Sequence, residues 1–351
     1  MPSLCSPFRQ RWPWIGPDLQ TLRDTLRPPR LGPDTATALP VQVGDGELLV
    51  LRDPPLGAAA GIGGQVVLVH GLGGSAGGGG VRRLGRCLQQ AGFGVWRLNL
   101  RGAGPGRPLA AGTYAAACNA DLLPVLAEAR RQAGGLPLLG VGLSLGGAVL
   151  LNAALAEPGV LDGLVAVSSP LDLAACAQRF DRPRNWLYQR WLLRGLIRQT
   201  LADPFGLNAA EREALAGPAR PRSIRAFDAA ITAPRWGYAD VDAYYAQASA
   251  LTRLRAGAAP LPPALLLHAL DDPWVPAAAA QQLADDPPPG LEVLLSAHGG
   301  HNGFHSVADR AVADRAVADG AGSAIGSWAD RRTVDWLCTL QAGAVGAGQR
   351  L

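Results

Sequence analysis

The stretch that most constrains this chain is LLGVGLSLGGAVLL, residues 138–151. An apolar run ends in Gly142-Leu143-Ser144-Leu145-Gly146, another glycine follows, and a second apolar run begins at once. Two apolar runs meeting at a serine framed by glycines predict a buried strand turning sharply into a buried helix, with the serine on the corner. The pentapeptide alone says little. In a chain with 45 glycines among 351 residues, a G-x-S-x-G pattern arises by chance about 0.2 times. Its surroundings carry the inference.

Those surroundings alternate. VQVGDGELLVLRD (41–53) reads as a hairpin turning at Gly44-Asp45-Gly46. QVVLVHG (65–71), FGVWRLNLRG (93–102), LPLLGVGLS (136–144) and LDGLVAVSSP (161–170) read as strands. Between and after them, 81–92, 115–134 and 145–159 have helical spacing. Strict alternation up to Ser169 predicts an α/β fold, a mostly parallel twisted sheet with helices on both faces. The rhythm breaks over 171–260, which is helical and aromatic with no clear strand. It resumes with ALLLHAL (264–270), a helix near 277–285, LEVLLSA (291–297) and a terminal helix around 329–342. The expected organisation is an irregular N-terminal arm (1–40), a core (41–170 and 261–351) and a helical lid insertion (171–260). The VADR near-repeats within 306–320 have a five-residue period that matches no solenoid, so they read as a local duplication in a surface helix or loop.

Composition excludes several function classes. The chain is 48% hydrophobic and 17% charged, which suits a folded core rather than disorder. Its 32 basic residues are all arginine, and the net charge of +4 is spread along the chain, so no nucleic-acid footprint is expected. Cys5, Cys87, Cys118, Cys176 and Cys338 are widely spaced and form no C-x-x-C. They read as unpaired thiols in a reducing compartment, and no metal or cofactor is expected. The first residues hold Arg9, Arg11 and prolines where a signal peptide needs an apolar stretch, and no run of 18 apolar residues occurs. The expected location is the cytoplasm.

Ester hydrolysis needs a nucleophile, a base, a group orienting the base, and donors for the oxyanion. Ser144 on its corner projects at the carboxyl ends of the strands, where α/β folds place their sites. The base is expected downstream, after an acid. His301 in GGHNGF (299–304) is favoured, because flanking glycines let a loop carry the ring inward; His298 and His305 are alternatives, and His268 falls within a strand. In ALLLHALDDPWVP, Asp272 is favoured over Asp271 because the following Pro273 turns it off the strand end. Asp172 is a lesser candidate. The backbone N–H groups of Leu72 and Leu145 are the expected oxyanion donors, and His70 is read as shaping the Leu72 loop.

With these residues in place, the chain resembles an α/β-hydrolase of the YheT-like group, which is related to animal ABHD-type and plant membrane-associated hydrolases. The resemblance rests on PDLQTL (17–22), VLVHGLGGS (67–75), NLRG (99–102), GLSLGG (142–147), VSSPLDL (167–173), FDAAITAPRWGYADVDAYYAQAS (227–249), LPPALLLHALDDPWVP (261–276) and GGHNGF. It implies a serine esterase or acylglycerol-lipase-like enzyme acting on acyl esters, with Ser144, Asp272 and His301 as its triad. Two departures stand out: Asp18 where the family usually has His, and Tyr114-Ala115 where it has Tyr-His. Amide, thioester or acyl-transfer chemistry on the same triad is the alternative, and a non-catalytic binding protein is a third class.

Within the lid, RPRNWLYQRWLLRGLIRQTL (182–201) places Arg190, Arg194 and Arg198 on one stripe, with apolar and aromatic residues around most of the rest. Such a helix packs over the core, or it lies in a membrane interface with its arginines toward anionic headgroups.

Overall fold

Apolar side chains on both faces of the inner strands leave the sheet no solvent side, and helices cover both. The computed structural model describes residues 7–56, 63–257, 259–309 and 326–348. Eight strands form one sheet: β1 (Thr37–Val43), β2 (Gly46–Asp53), β3 (Gln65–Val69), β4 (Gly94–Leu98), β5 (Leu138–Leu143), β6 (Gly163–Val167), β7 (Ala264–Ala269) and β8 (Leu291–Ser296). Their order is β1-β2-β4-β3-β5-β6-β7-β8. β1 and β2 form the hairpin, β2 runs antiparallel to β4, and the remaining pairs are parallel.

Alternation along each inner strand divides two cores. Val67 and Val69 of β3, Leu164 and Ala166 of β6 and Leu266 of β7 face one side. There they pack on α3 (Asn119–Ala133), α4 (Leu145–Ala156) and α12 (Ala278–Asp285) through Leu122, Val149 and Leu283. Val66, Leu68, Val165, Leu265 and Leu267 face the other side, against α2 (Gly79–Gln90) and α13 (Trp328–Gly348). Between β6 and β7 the chain forms α5 (Leu173–Phe180), α6 (Trp186–Leu201), α7 (Ala209–Leu215), α8 (Ile224–Phe227), α9 (Ala233–Arg235), α10 (Val241–Ala248) and α11 (Ala250–Ala256), with no strand among the described residues. Part of this insert has an apolar cluster of its own, including Phe180, Leu192, Leu196, Ile224 and Phe227.

The arm differs from the irregular segment its composition suggests. It contains α1 (Pro17–Leu26), started by Pro17 at the first helical position, where the missing N–H costs nothing. Polar contacts anchor this helix, so no apolar period advertises it. Gln20 is fully buried, donates to the carbonyls of Trp14 (2.6 Å) and His305 (3.0 Å), and accepts from His305 N (2.7 Å). Arg83 of α2 bonds both Asp24 of α1 and Asp330 of α13 in a buried network. The VADR near-repeats fall largely on 310–325, outside the described residues.

Candidate active site

The chain leaves β3 toward β4 on one side and returns to β5 on the other, so the sheet's switch point lies between β3 and β5. Val69 and Gly142 are register partners there. The loop after β3 and the corner after β5 therefore meet at the carboxyl edge, where such folds place ligands. Ser144 occupies that corner at φ 53°, ψ −123°, a region that costs a non-glycine residue strain and persists only where the surroundings enforce it. Its N–H is held by the Val167 carbonyl at 2.8 Å. Neighbouring glycines allow the close approach. A Cβ on Gly142 would collide with the backbone of Gly147, and one on Gly146 would meet the carbonyls of Val69 and His70.

Three side chains from three loops converge at this corner. His301 Nε2 lies 2.9 Å from Ser144 Oγ, and His301 Nδ1 lies 2.8 Å from Asp272 Oδ2. The other oxygen, Asp272 Oδ1, accepts from the N–H groups of Trp274 (2.8 Å) and Val275 (2.9 Å). All three residues are buried, with Ser144 the most exposed at 9%. Burial pushes the Asp272 carboxyl up, but the adjacent His301 ring, the His268 ring and the Val275 N–H outweigh it and hold it below the ordinary carboxylate value. An ionised Asp272 takes the Nδ1 proton of His301 as its hydrogen-bond donor, which leaves the Nε2 lone pair facing Ser144; this assignment follows from the bonding pattern. The Trp274 ring stacks on His301 with centroids 4.6 Å apart and planes at 26°.

The competing candidates have other occupations. Asp271 accepts from Gly300 N at 2.9 Å and meets His298 Nδ1 at 3.2 Å, so it braces the histidine loop from outside. Asp172 caps α5 by accepting from Ala175 N at 2.9 Å. His268 is buried in β7, its Nε2 3.3 Å from the Val275 carbonyl, and burial lowers its pKa. His305 is buried beside Asp24 at 3.5 Å, and burial with the nearby Arg83 holds its pKa down to about 3. His70 donates from Nδ1 to the Gly71 carbonyl (2.8 Å) and accepts at Nε2 from Leu100 N (3.2 Å). Burial keeps it neutral, at about 4.

Leu72 and Leu145 both line the narrow cavity, about 90 Å³, that opens beside Ser144 and His301. The Leu72 loop is fixed by Gly73 N donating to Tyr114 Oη (2.6 Å) and Ala76 N donating to Asn99 Oδ1 (3.0 Å). The cavity lining includes the apolar Leu173, Phe180, Leu192 and Leu196 and the polar Tyr114, Asp228, Thr232, Tyr244 and Tyr245. Among the described residues, no group of three His, Cys, Asp or Glu side chains is placed to hold a metal ion.

Residues 64–306 match the family described as alpha/beta hydrolase fold. The chain belongs to the alpha/beta hydrolase family. The chain is 35% identical over 222 residues to "Putative esterase YheT" of Escherichia coli K12, covering 60% of this chain and 57% of that protein. It is 30% identical over 219 residues to mouse phospholipase ABHD3, covering 62% and 52% respectively. The chain thus spans little more than half the length of these two relatives. Among solved structures, a soluble variant of the Saccharomyces cerevisiae monoglyceride lipase, in complex with a substrate analogue, shares the fold at TM-score 0.55 and 17% identity, over 89% of this chain and 99% of that one. By sequence the chain is therefore related to a putative esterase and to a phospholipase.

Several supports of the site have no simple signature in the sequence. His301 N donates to Thr21 Oγ1 of α1 at 2.8 Å, and Asn302 N donates to Ser168 Oγ at 3.2 Å. Thr21 lies in the PDLQTL motif, whose compactness is the one available hint. Asp18, which departs from the family pattern, accepts from Tyr188 Oη (2.8 Å) and pairs with Arg184 (2.9 Å). Asp228 sits in a π-helical turn (Asp228–Thr232), accepting from Thr232 Oγ1 (2.7 Å) and Tyr245 Oη (2.8 Å). Burial pushes its carboxyl up to about 6 against those two hydrogen bonds.

Proposed function

We propose that this protein hydrolyses carboxylic esters of acyl chains through an acyl-enzyme formed on Ser144. The observation that carries the reading is the unbroken relay from Ser144 Oγ through His301 to Asp272. Ser144 Oγ attacks the ester carbonyl carbon as its proton passes to His301 Nε2. The negative charge that develops on the carbonyl oxygen is met by the N–H groups of Leu72 and Leu145, each such donor being worth about 3 kcal/mol. The imidazolium returns its proton to the departing alkoxide, and the acyl group stays on Ser144. Water then enters and its oxygen attacks the acyl carbon as His301 takes its proton; the imidazolium returns that proton to Ser144 Oγ as the Oγ–acyl bond breaks, and the acid is released. Asp272 stays ionised throughout and stabilises the imidazolium, which its lowered pKa supports.

The apolar cavity wall of Leu173, Phe180, Leu192 and Leu196 favours an acyl chain over a peptide or sugar, so medium or long acyl esters are the preferred class. Helices α5, α6 and α8 supply much of this wall and act as the lid. Relatives named as a phospholipase and a monoglyceride lipase agree with a lipid-like ester. A fluorophosphonate probe is expected to label the wild type and not Ser144→Ala. Absence of wild-type labelling would turn the reading to a binding protein. Turnover of amide or thioester analogues in preference to acyl esters of graded length would reassign the substrate.

A further inference from the structure

The outward side of the insert carries a feature that ester hydrolysis does not use. A groove of about 510 Å³ runs between α6 and the segment leading into α8, and Trp186, Arg190, Arg194, Arg220, Pro221 and Arg222 are among its lining residues. No carboxylate lines it. All four arginines are solvent-exposed, and none has an acidic partner among the described residues. Neither α6 nor residues 216–222 contain an Asp or Glu. Four unneutralised guanidinium groups around one groove repel one another, and an anion removes that cost while using their planar donor forks.

The rim is apolar. Trp186, Leu187 and Trp191 on α6 are 56%, 71% and 61% exposed, and the Arg190 guanidinium lies 5.3 Å over the Trp186 ring. Asp18 bonds Tyr188 and Arg184, so the start of α1 adjoins the start of α6, and Trp12, Ile15 and Leu19 in that neighbourhood are also exposed. Aromatic side chains interleaved with arginine on one exposed helix face fit the boundary between headgroups and acyl chains, where the rings enter and the cations stay at phosphate depth. A free phosphate ion would use the arginines and leave the tryptophans without a role.

We infer that this face docks on an anionic lipid surface, with phosphate groups of the headgroups seated among Arg190, Arg194, Arg220 and Arg222 and the indoles of Trp186 and Trp191 in the interface. The dock is separate from the Ser144 cavity, and it stands whether or not Ser144 is a nucleophile.

The test is flotation of the purified protein with phosphatidylcholine vesicles, with and without phosphatidylglycerol. The wild type and Ser144→Ala are expected to float with the anionic vesicles and to stay behind with the zwitterionic ones. The double variant Arg220→Glu, Arg222→Glu should lose at least about 25-fold in vesicle affinity, given that each surface cation is worth about a fivefold change. Its hydrolysis of a short soluble p-nitrophenyl ester and its thermal melt should stay at wild-type values. Failure of the wild type to float with anionic vesicles, or equal flotation of the double variant, overturns the dock. So does abolition of flotation by inorganic phosphate at unchanged ionic strength together with saturable phosphate binding to the lipid-free protein, which would make the groove a free-phosphate site. Loss of labelling or turnover with flotation intact would count against the catalytic reading alone.

Discussion

The corner at Ser144 and the outer face of α6 are built on opposite principles. At the corner, the key polar groups are engaged: Ser144 N by Val167, both oxygens of Asp272, both nitrogens of His301, and the His301 N–H by Thr21. Strained backbone at Ser144, Ser168, Asn302 and Phe304 persists there because the sheet edge and its bracing loops leave no alternative. On the outer face of α6, arginines stand without acidic partners and tryptophans stand in water. Chemistry at a carbonyl tolerates little misplacement, so its groups are held by redundant bonds. A surface that meets a fluid partner needs complementary character more than fixed geometry.

If that contrast is right, the two regions should respond to substitution on different scales. Ser144→Ala should lower kcat on a soluble acyl ester by about 10⁴-fold or more while leaving the melting temperature near wild type. A variant retaining more than a small fraction of the rate would mean that the corner serves geometry alone. Asp272→Asn should cost about 10³- to 10⁴-fold, since an amide no longer favours the productive His301 tautomer or stabilises its cation. Kinetics across pH on the folded variant checks this, and a loss below tenfold would show Asp271 or another group substituting.

Asp228 tests the boundary between the two regimes, because it lies in the insert yet lines the Ser144 cavity. Burial raises its carboxyl to about 6 in the folded state, above the ordinary aspartate value of 3.8. The folded state therefore holds the proton more tightly than the unfolded chain does. Stability from this group is complete below pH 3.8, falls as pH rises, and has been lost once pH passes about 6, by up to about 3 kcal/mol. Asp228→Asn should flatten that slope and gain on the wild type above pH 6, as urea melts on either side of the transition would show. Parallel slopes for both proteins would refute it.

Much of the core was legible because its signals are local. Apolar runs closed by glycine mark β3 and β5, one closed by Ser168-Ser169-Pro170 marks β6, and the order Ser144, Asp272, His301 can be read along the chain. The insert was legible as helical, but not in the arrangement of its faces. Sequence puts Arg190, Arg194 and Arg198 on one stripe of α6, yet not the convergence of Arg190 and Arg194 with Arg220 and Arg222, which approach from a separate segment. Trp274 stacking on His301 was equally invisible, since nothing in D-D-P-W-V-P says which way the indole turns. α1 escaped notice because its anchors, Gln20, Thr21 and Asp24, are polar residues in a stretch rich in proline and arginine.

The contact between Thr21 and His301 joins residues 280 positions apart. A ribosome has almost completed the core before that bond can form, whereas the Asp24–Arg83 pair that joins α1 to α2 is available much earlier. Ser144 likewise precedes by 157 positions the His301 ring that faces it. On the proposed reading, the Ser144–His301–Asp272 constellation is complete only once the loop after the last strand has been made.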